Sequence, residues 1–147
     1  MASVEVYSYT TPPNIINMQE GTTSGSFGIG DLVKGDTSGQ VVIGTAAAFF
    51  GIARKGYTGT AGTIIPVELL SPDILYVMRA ASSTTTAQAN VGEEFAVTFT
   101  ASAHTVAVNT TSGNDGIVYQ LHPTDGVKAG GRYIVKFLPT VIGSTAA

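Results

Sequence analysis

The chain has 147 residues and a net charge of −3, with 44% hydrophobic but only 12% charged side chains and no cysteine. That length suits one compact domain able to bury roughly 70% of its unfolded surface, so disorder is not the default, and a disulfide framework or a thiolate metal site is excluded. Seven basic residues, of which only Arg54 and Lys55 are adjacent, form no patch for phosphates, and no apolar run approaches the roughly 20 residues that span a bilayer. No Lys or Arg precedes an apolar run at the N-terminus, so no secretory signal is expected and the cytoplasm of the producing cell is the simplest compartment.

Residues 1–26 read as an extended N-terminal arm. Val4, Val6, Tyr7 and Tyr9 lie in a Thr-rich start, and Thr10-Thr11-Pro12-Pro13 forces a non-helical path. Ile15, Ile16 and Met18 follow, then a glycine-rich joint from Gly21 to Gly25. So many apolar side chains do not suit a solvated tail. The arm either packs on its own domain as an edge strand or docks on a neighbouring chain, since an extended segment supplies strand hydrogen bonds to either.

From Phe27 onward, short strand-like runs alternate with turn compositions. Strands are expected at 27–34, 40–43, 49–55, 63–70, 73–80, 94–100, 104–109, 116–121 and 132–138. In Phe95-Ala96-Val97-Thr98-Phe99-Thr100 large and small side chains alternate with period two, the mark of one buried face. Tyr133, Val135 and Phe137 repeat the pattern, with Lys136 opposite. Pro66 interrupts its run and is expected at an edge or bulge. Ala80–Asn90 could form a helical turn, but its Ser-Ser-Thr-Thr-Thr core favours a loop or an irregular strand. The fold class is all-β, a compact β-sandwich or small β-barrel of tulip-like form, spanning 27–139 and followed by a tail at 140–147. Two half-repeats, 27–80 and 90–139, align in order: Gly30-Asp31-Leu32-Val33 with Gly92-Glu93-Glu94-Phe95, Val41-Val42-Ile43 with Val106-Ala107-Val108, and Gly51-Ile52-Ala53 with Gly116-Ile117-Val118. A duplication or a simple Gly-punctuated meander would each give that alignment.

Residues that could carry chemistry are few. His122 and Asp125 could pair as base and orienter, but Leu121-His122-Pro123-Thr124-Asp125-Gly126 reads better as a turn, and no Gly-x-Ser-x-Gly surrounds any serine. The loop Gly56–Gly62 is glycine-rich without the Gly-Lys-Ser/Thr ending that grips phosphate. Glu93 and Glu94 are adjacent, so on a strand they point to opposite faces. Asn109-Thr110-Thr111 matches a glycosylation sequon by chance. No catalytic activity, cofactor, metal or small-molecule substrate is expected. Ala46–Phe50 and the tail from Val141 are more apolar than a lone monomer needs, which points to protein contacts, with Phe49 and Phe50 as candidates for an oligomer interface.

The run Gly30-Asp31-Leu32-Val33, Val41-Val42-Ile43, Phe50-Gly51-Ile52-Ala53, a Gly-rich turn and Ile64-Ile65-Pro66-Val67 resembles the small capsid-decoration (cement) proteins of tailed phages. The resemblance covers about 27–80, with a fainter echo to Leu138; the family's members are shorter, which leaves Val91–Pro139 as an added or duplicated half. It implies a homotrimer on the outer surface of the virion capsid, assembled in the host cytoplasm and cementing neighbouring major capsid subunits. The capsid-contact arm would then comprise Val4, Val6, Tyr7, Tyr9, Pro12, Pro13, Ile15, Ile16 and Met18, and its removal would leave a folded oligomer. The alternative is another virion component, such as a tail-tube, fibre or adhesin β domain.

Overall fold

A computed structural model describes residues 3–21, 26–45, 48–100, 103–108 and 115–138. These residues form an all-β body with eleven strands: β1 (Glu5–Ser8), β2 (Ile15–Glu20), β3 (Leu32–Gly35), β4 (Gln40–Ile43), β5 (Gly51–Ala53), β6 (Ile64–Leu69), β7 (Leu75–Arg79), β8 (Glu94–Phe99), β9 (His104–Val108), β10 (Gly116–Leu121) and β11 (Arg132–Phe137). One short 3-10 turn, Gln88–Asn90, interrupts the loop after β7. Five strands close a barrel in the order β2-β4-β3-β5-β6, and six form a sheet in the order β1-β7-β11-β10-β8-β9.

Period-two alternation explains how the layers pack. In the first unit Val33, Val41, Ala53, Ile65 and Val67 point inward and, with Phe27, fill the barrel. Their neighbours Leu32 and Ile52 point the other way, into a second core shared with Phe49, Tyr76, Phe95, Val135 and Phe137. Each fully buried Val, Leu, Ile or Phe among them contributes about 1.5–3 kcal/mol. Phe49 lies edge-on to Phe137 at 5.9 Å and tilted against Phe99 at 5.5 Å, so it joins the two units.

The units share their strand order and much of their register, although only the first closes as a barrel and only the second has a bulge between Val118 and Gln120. In the first, β3 pairs with β4 and β5, β5 with β6, and β6 with β2, all antiparallel, and β2 meets β4 in parallel at Glu20↔Val41. In the second, β8 pairs with β9 and β10, β10 with β11, and β11 with β7. A parallel bridge, Ala80↔Val106, then brings β7 against β9. Register equates Val33 with Phe95, Gly51 with Gly116, Val67 with Val135, and Ile16-Asn17-Met18-Gln19 with Tyr76-Val77-Met78-Arg79. Irregular features match too: Gly30 and Gly92 both have positive φ (89° and 87°). Both donate to the corresponding strand, Gly30 to Ala53 and Gly92 to Val118. The five inward residues of the first barrel thus correspond to Phe95, Val106, Val118, Tyr133 and Val135, all buried.

The structure moves several expected boundaries. Of the expected arm at 1–26, the described residues 3–21 are not separate from the β body. Val4 is 2% exposed in the shared core. β1 is the edge strand of the six-stranded sheet, and β2 closes the barrel. The two halves therefore begin at β2 and β7, not at Phe27 and Asn90. Pro66 lies in β6, which pairs on both sides. It is tolerated because Asn17↔Pro66 falls between the hydrogen-bonded pairs of β2 and β6, and Pro66 nitrogen faces the point where β5 ends. Ala46, Ala47, Thr22–Gly25, the sequon at 109–111 and the tail from 140 lie outside the described residues.

Candidate interaction surface

The residues expected to make contacts divide sharply. Phe49 is buried and is therefore not available for the expected oligomer contact, whereas Phe50 packs on the barrel core and keeps part of its surface open. Val6 and Met18 are likewise half-buried against the two cores. Tyr7, Tyr9, Pro12, Pro13, Ile15 and Ile16 remain exposed along β1, the following link and the start of β2. Ile64, cross-strand from Gln19, is also exposed, at the opposite end of β2 from Ile15. Large apolar side chains gathered on one stretch of surface mark a contact site more than scattered ones do.

That stretch is held in place from beneath. Tyr9 hydroxyl donates to Glu68 Oε1 at 2.9 Å, and Arg54 Nη1 lies 3.0 Å from the same oxygen. Burial raises the Tyr9 pKa, and the Glu68 carboxylate adds to it. At the far end of β2, Glu20 follows Ile16 and Met18 on the inward face. Its carboxylate accepts from Thr58 N–H (3.1 Å), Thr58 Oγ1 (2.7 Å) and Gly59 N–H (2.6 Å). Burial opposes its charge, but these donors outweigh it and lower the pKa. Two amides of the Gly56–Gly62 loop, those of Thr58 and Gly59, are thus turned onto an internal carboxylate.

A buried polar joint links the N-terminus and both units. Ser3 hydroxyl donates to Asp31 Oδ1 at 2.8 Å, His104 N–H donates to Ser3 Oγ at 3.1 Å, and Leu32 N–H donates to His104 Nδ1 at 3.2 Å. His104 is 4% exposed and its ring lies 4.5 Å from Phe99. Accepting at Nδ1 requires the neutral ring. Burial lowers the pKa, with Asp31 opposing. The unfolded chain therefore takes up a proton before the folded one does. Stability is expected to fall as pH drops below the ordinary value of 6.5 toward the lower folded pKa. Thermal melting of wild type between pH 8 and pH 5 checks this: His104→Gln should flatten the upper part of that dependence, and an unchanged slope would dismiss the joint as the cause.

Two open clefts of 670 and 520 Å³ flank His104. Small Ala, Ser, Thr and Gly side chains line much of the larger. Its Arg132 is held by Asp125, with Nε–Oδ2 at 2.8 Å and Nη2–Oδ1 at 2.9 Å. The Arg132 hydrogen bonds hold the Asp125 carboxyl well below the usual range. Asp125 therefore serves Arg132 and not His122, whose Nδ1 accepts from Thr124 N–H at 3.2 Å within the turn. Among the described residues no three His, Asp or Glu side chains gather as a metal site requires. Sequence reasoning missed the anchoring roles of Glu20, Glu68 and His104. Only Glu20 carried a signal, its place in the inward alternation of β2.

No family model matches the chain, and no curated protein is significantly similar to it.

Proposed function

We propose that the chain is a structural accessory protein that binds the outside of a tailed-phage capsid as a homotrimer and cements neighbouring major capsid subunits. The observation that carries this reading is the exposure of two large side chains, Tyr7 and Tyr9, on β1 and the link that follows it, in a charge-poor β body. The strand pattern of the first barrel, which resembles that of decoration proteins, adds to it. Binding to the assembled shell alone would stabilise it by mass action, and a trimer would add avidity. The contact is made by strands built into the fold. Deleting residues 1–18 would remove Val4 from the core and open the barrel, so surface substitutions are the proper test.

The native mass of the purified chain at micromolar concentration should correspond to three protomers. Wild type should cosediment with expanded shells of its own phage, and Tyr7→Ser with Tyr9→Ser should weaken that binding while leaving the fold intact. Failure of wild type to bind such shells would reject the cement role.

A further inference from the structure

The match between the two units makes one of their differences informative. β7 is flanked by β11 on one side and by β1 on the other, with Glu5↔Val77, Val6↔Tyr76 and Ser8↔Leu75 in register. Its counterpart β2 is flanked by β6 along its whole length, but on the other side by β4 only at Gln19 and Glu20. Ile15, Ile16 and Asn17 correspond to Leu75, Tyr76 and Val77, the residues that β1 covers. No described strand covers them.

The direction of the free groups follows from the ladder. Leu69 N–H donates to Asn14 carbonyl, and Glu20 N–H to Thr63 carbonyl. Even-numbered residues of β2 therefore bond to β6, and the N–H and C=O groups of Ile15 and Asn17 point to the open side. Natural edge strands are commonly blunted by a charge, a proline or a bulge. The outer strand β1 carries Glu5 and a bulge between Val6 and Ser8. The segment Asn14–Gln19 carries no charge, proline or bulge. Ile15 and Ile16 are 48% and 37% exposed, one on each face of the strand.

We infer that this edge pairs with the same edge of a second copy of the chain, antiparallel and across a two-fold axis at Ile16. Ile15 then faces Asn17 of the second copy and Asn17 faces its Ile15, so that both free N–H and C=O groups of each strand are bonded. Ile16 packs on Ile16. Because the segment is uncharged, no like charges meet at the axis. Pro13, which lacks an N–H, ends the pairing upstream and β4 ends it downstream. An isologous contact of this kind doubles whatever species carries it and cannot by itself build a trimer. It therefore goes beyond the proposed function, as a link between protomers of adjacent trimers.

Sedimentation velocity from 1 to 100 μM tests it on wild type, Ile15→Lys and Asn17→Pro. Asn17→Pro removes a donor that faces the open side and leaves the β6 ladder untouched; Ile15→Lys places a charge beside the axis. Wild type should double in mass with concentration, from one protomer to two or from three to six. Both variants should stay at the smaller species while keeping the wild-type circular dichroism and cooperative melting. No doubling of wild type, or equal doubling in both folded variants, overturns the pairing. The mass of the smaller species judges the trimer separately: three protomers supports it and one does not.

Discussion

Phe137→Ala should cost about 4 kcal/mol of stability, the range for emptying a large buried aromatic site. Phe137 is 1% exposed and meets Tyr76 at 5.4 Å and both Phe49 and Phe95 at 5.9 Å, nearly edge-on in each case. Phe49 belongs to the first unit and the other three to the second, so the vacancy opens at the seam as well as inside the second sheet. A domain of this size has only about 5–15 kcal/mol in total. Urea unfolding should show a much lower midpoint and, because one core serves both units, a single transition. Tyr119→Ala, at an exposed position on β10, should change stability by no more than about 0.5 kcal/mol. A loss below 1 kcal/mol at Phe137 would mean that the aromatic cluster does not hold the units together.

Gly51→Ala and Gly116→Ala should each destabilise by about 3 kcal/mol, the upper range for overpacking. The two glycines are register equivalents on β5 and β10. A Cβ on Gly51 would lie 2.8 Å from the Glu68 carbonyl oxygen and 2.5 Å from a Val67 methyl. A Cβ on Gly116 would collide with the Lys136 carbonyl oxygen and approach the Phe95 ring to 2.7 Å. Glu68 and Lys136 are themselves equivalents, so one backbone feature demands glycine in both units. Neither obstacle is the far end of a flexible side chain, so relief requires strand movement. By contrast Gly39, in an open turn, has nothing within 4 Å of such a Cβ; its φ of 76° makes an alanine there costly through the backbone alone. Melting temperatures of Gly51→Ala and Gly116→Ala should fall together, and a fall in only one would show that the units are not built alike.

The strands from β4 onward were legible because alternation and glycine turns sit where the pleat needs them. Gln40–Ile43 and Gly116–Leu121 agree with the expected runs at both ends. β3 was placed too early, because Phe27 looks like a strand residue but is buried from a loop, against Tyr57. β1 and β2 were hidden for another reason. Val4 and Glu20 are buried while Tyr7, Ile15, Ile16 and Asn17 are exposed, so the usual apolar-in pattern is absent. Their place is fixed by partners far along the chain, β7 and β6, which local propensity does not reveal. The repeat was visible in Gly30/Gly92 and Gly51/Gly116, but its true start was not, because β2 and β7 share only Met18 and Met78 in the paired stretch. His104 gave no advance sign of its role, since its bond to Leu32 depends on how the two units meet.

β1 precedes the first unit but belongs to the sheet of the second. On the ribosome its partner β7 follows about 70 residues later, a delay of several seconds at roughly 5–20 residues per second. During that wait β2 to β6 are all available and the first barrel can close. A strand made before the barrel is thus among the last of the described strands to find a partner, and it then latches the segment before β2 onto the second unit. Nascent chains whose emerged portion ends between Leu69 and Leu75 should hold a formed barrel with β1 open to protease, and chains whose emerged portion extends past Phe137 should protect it.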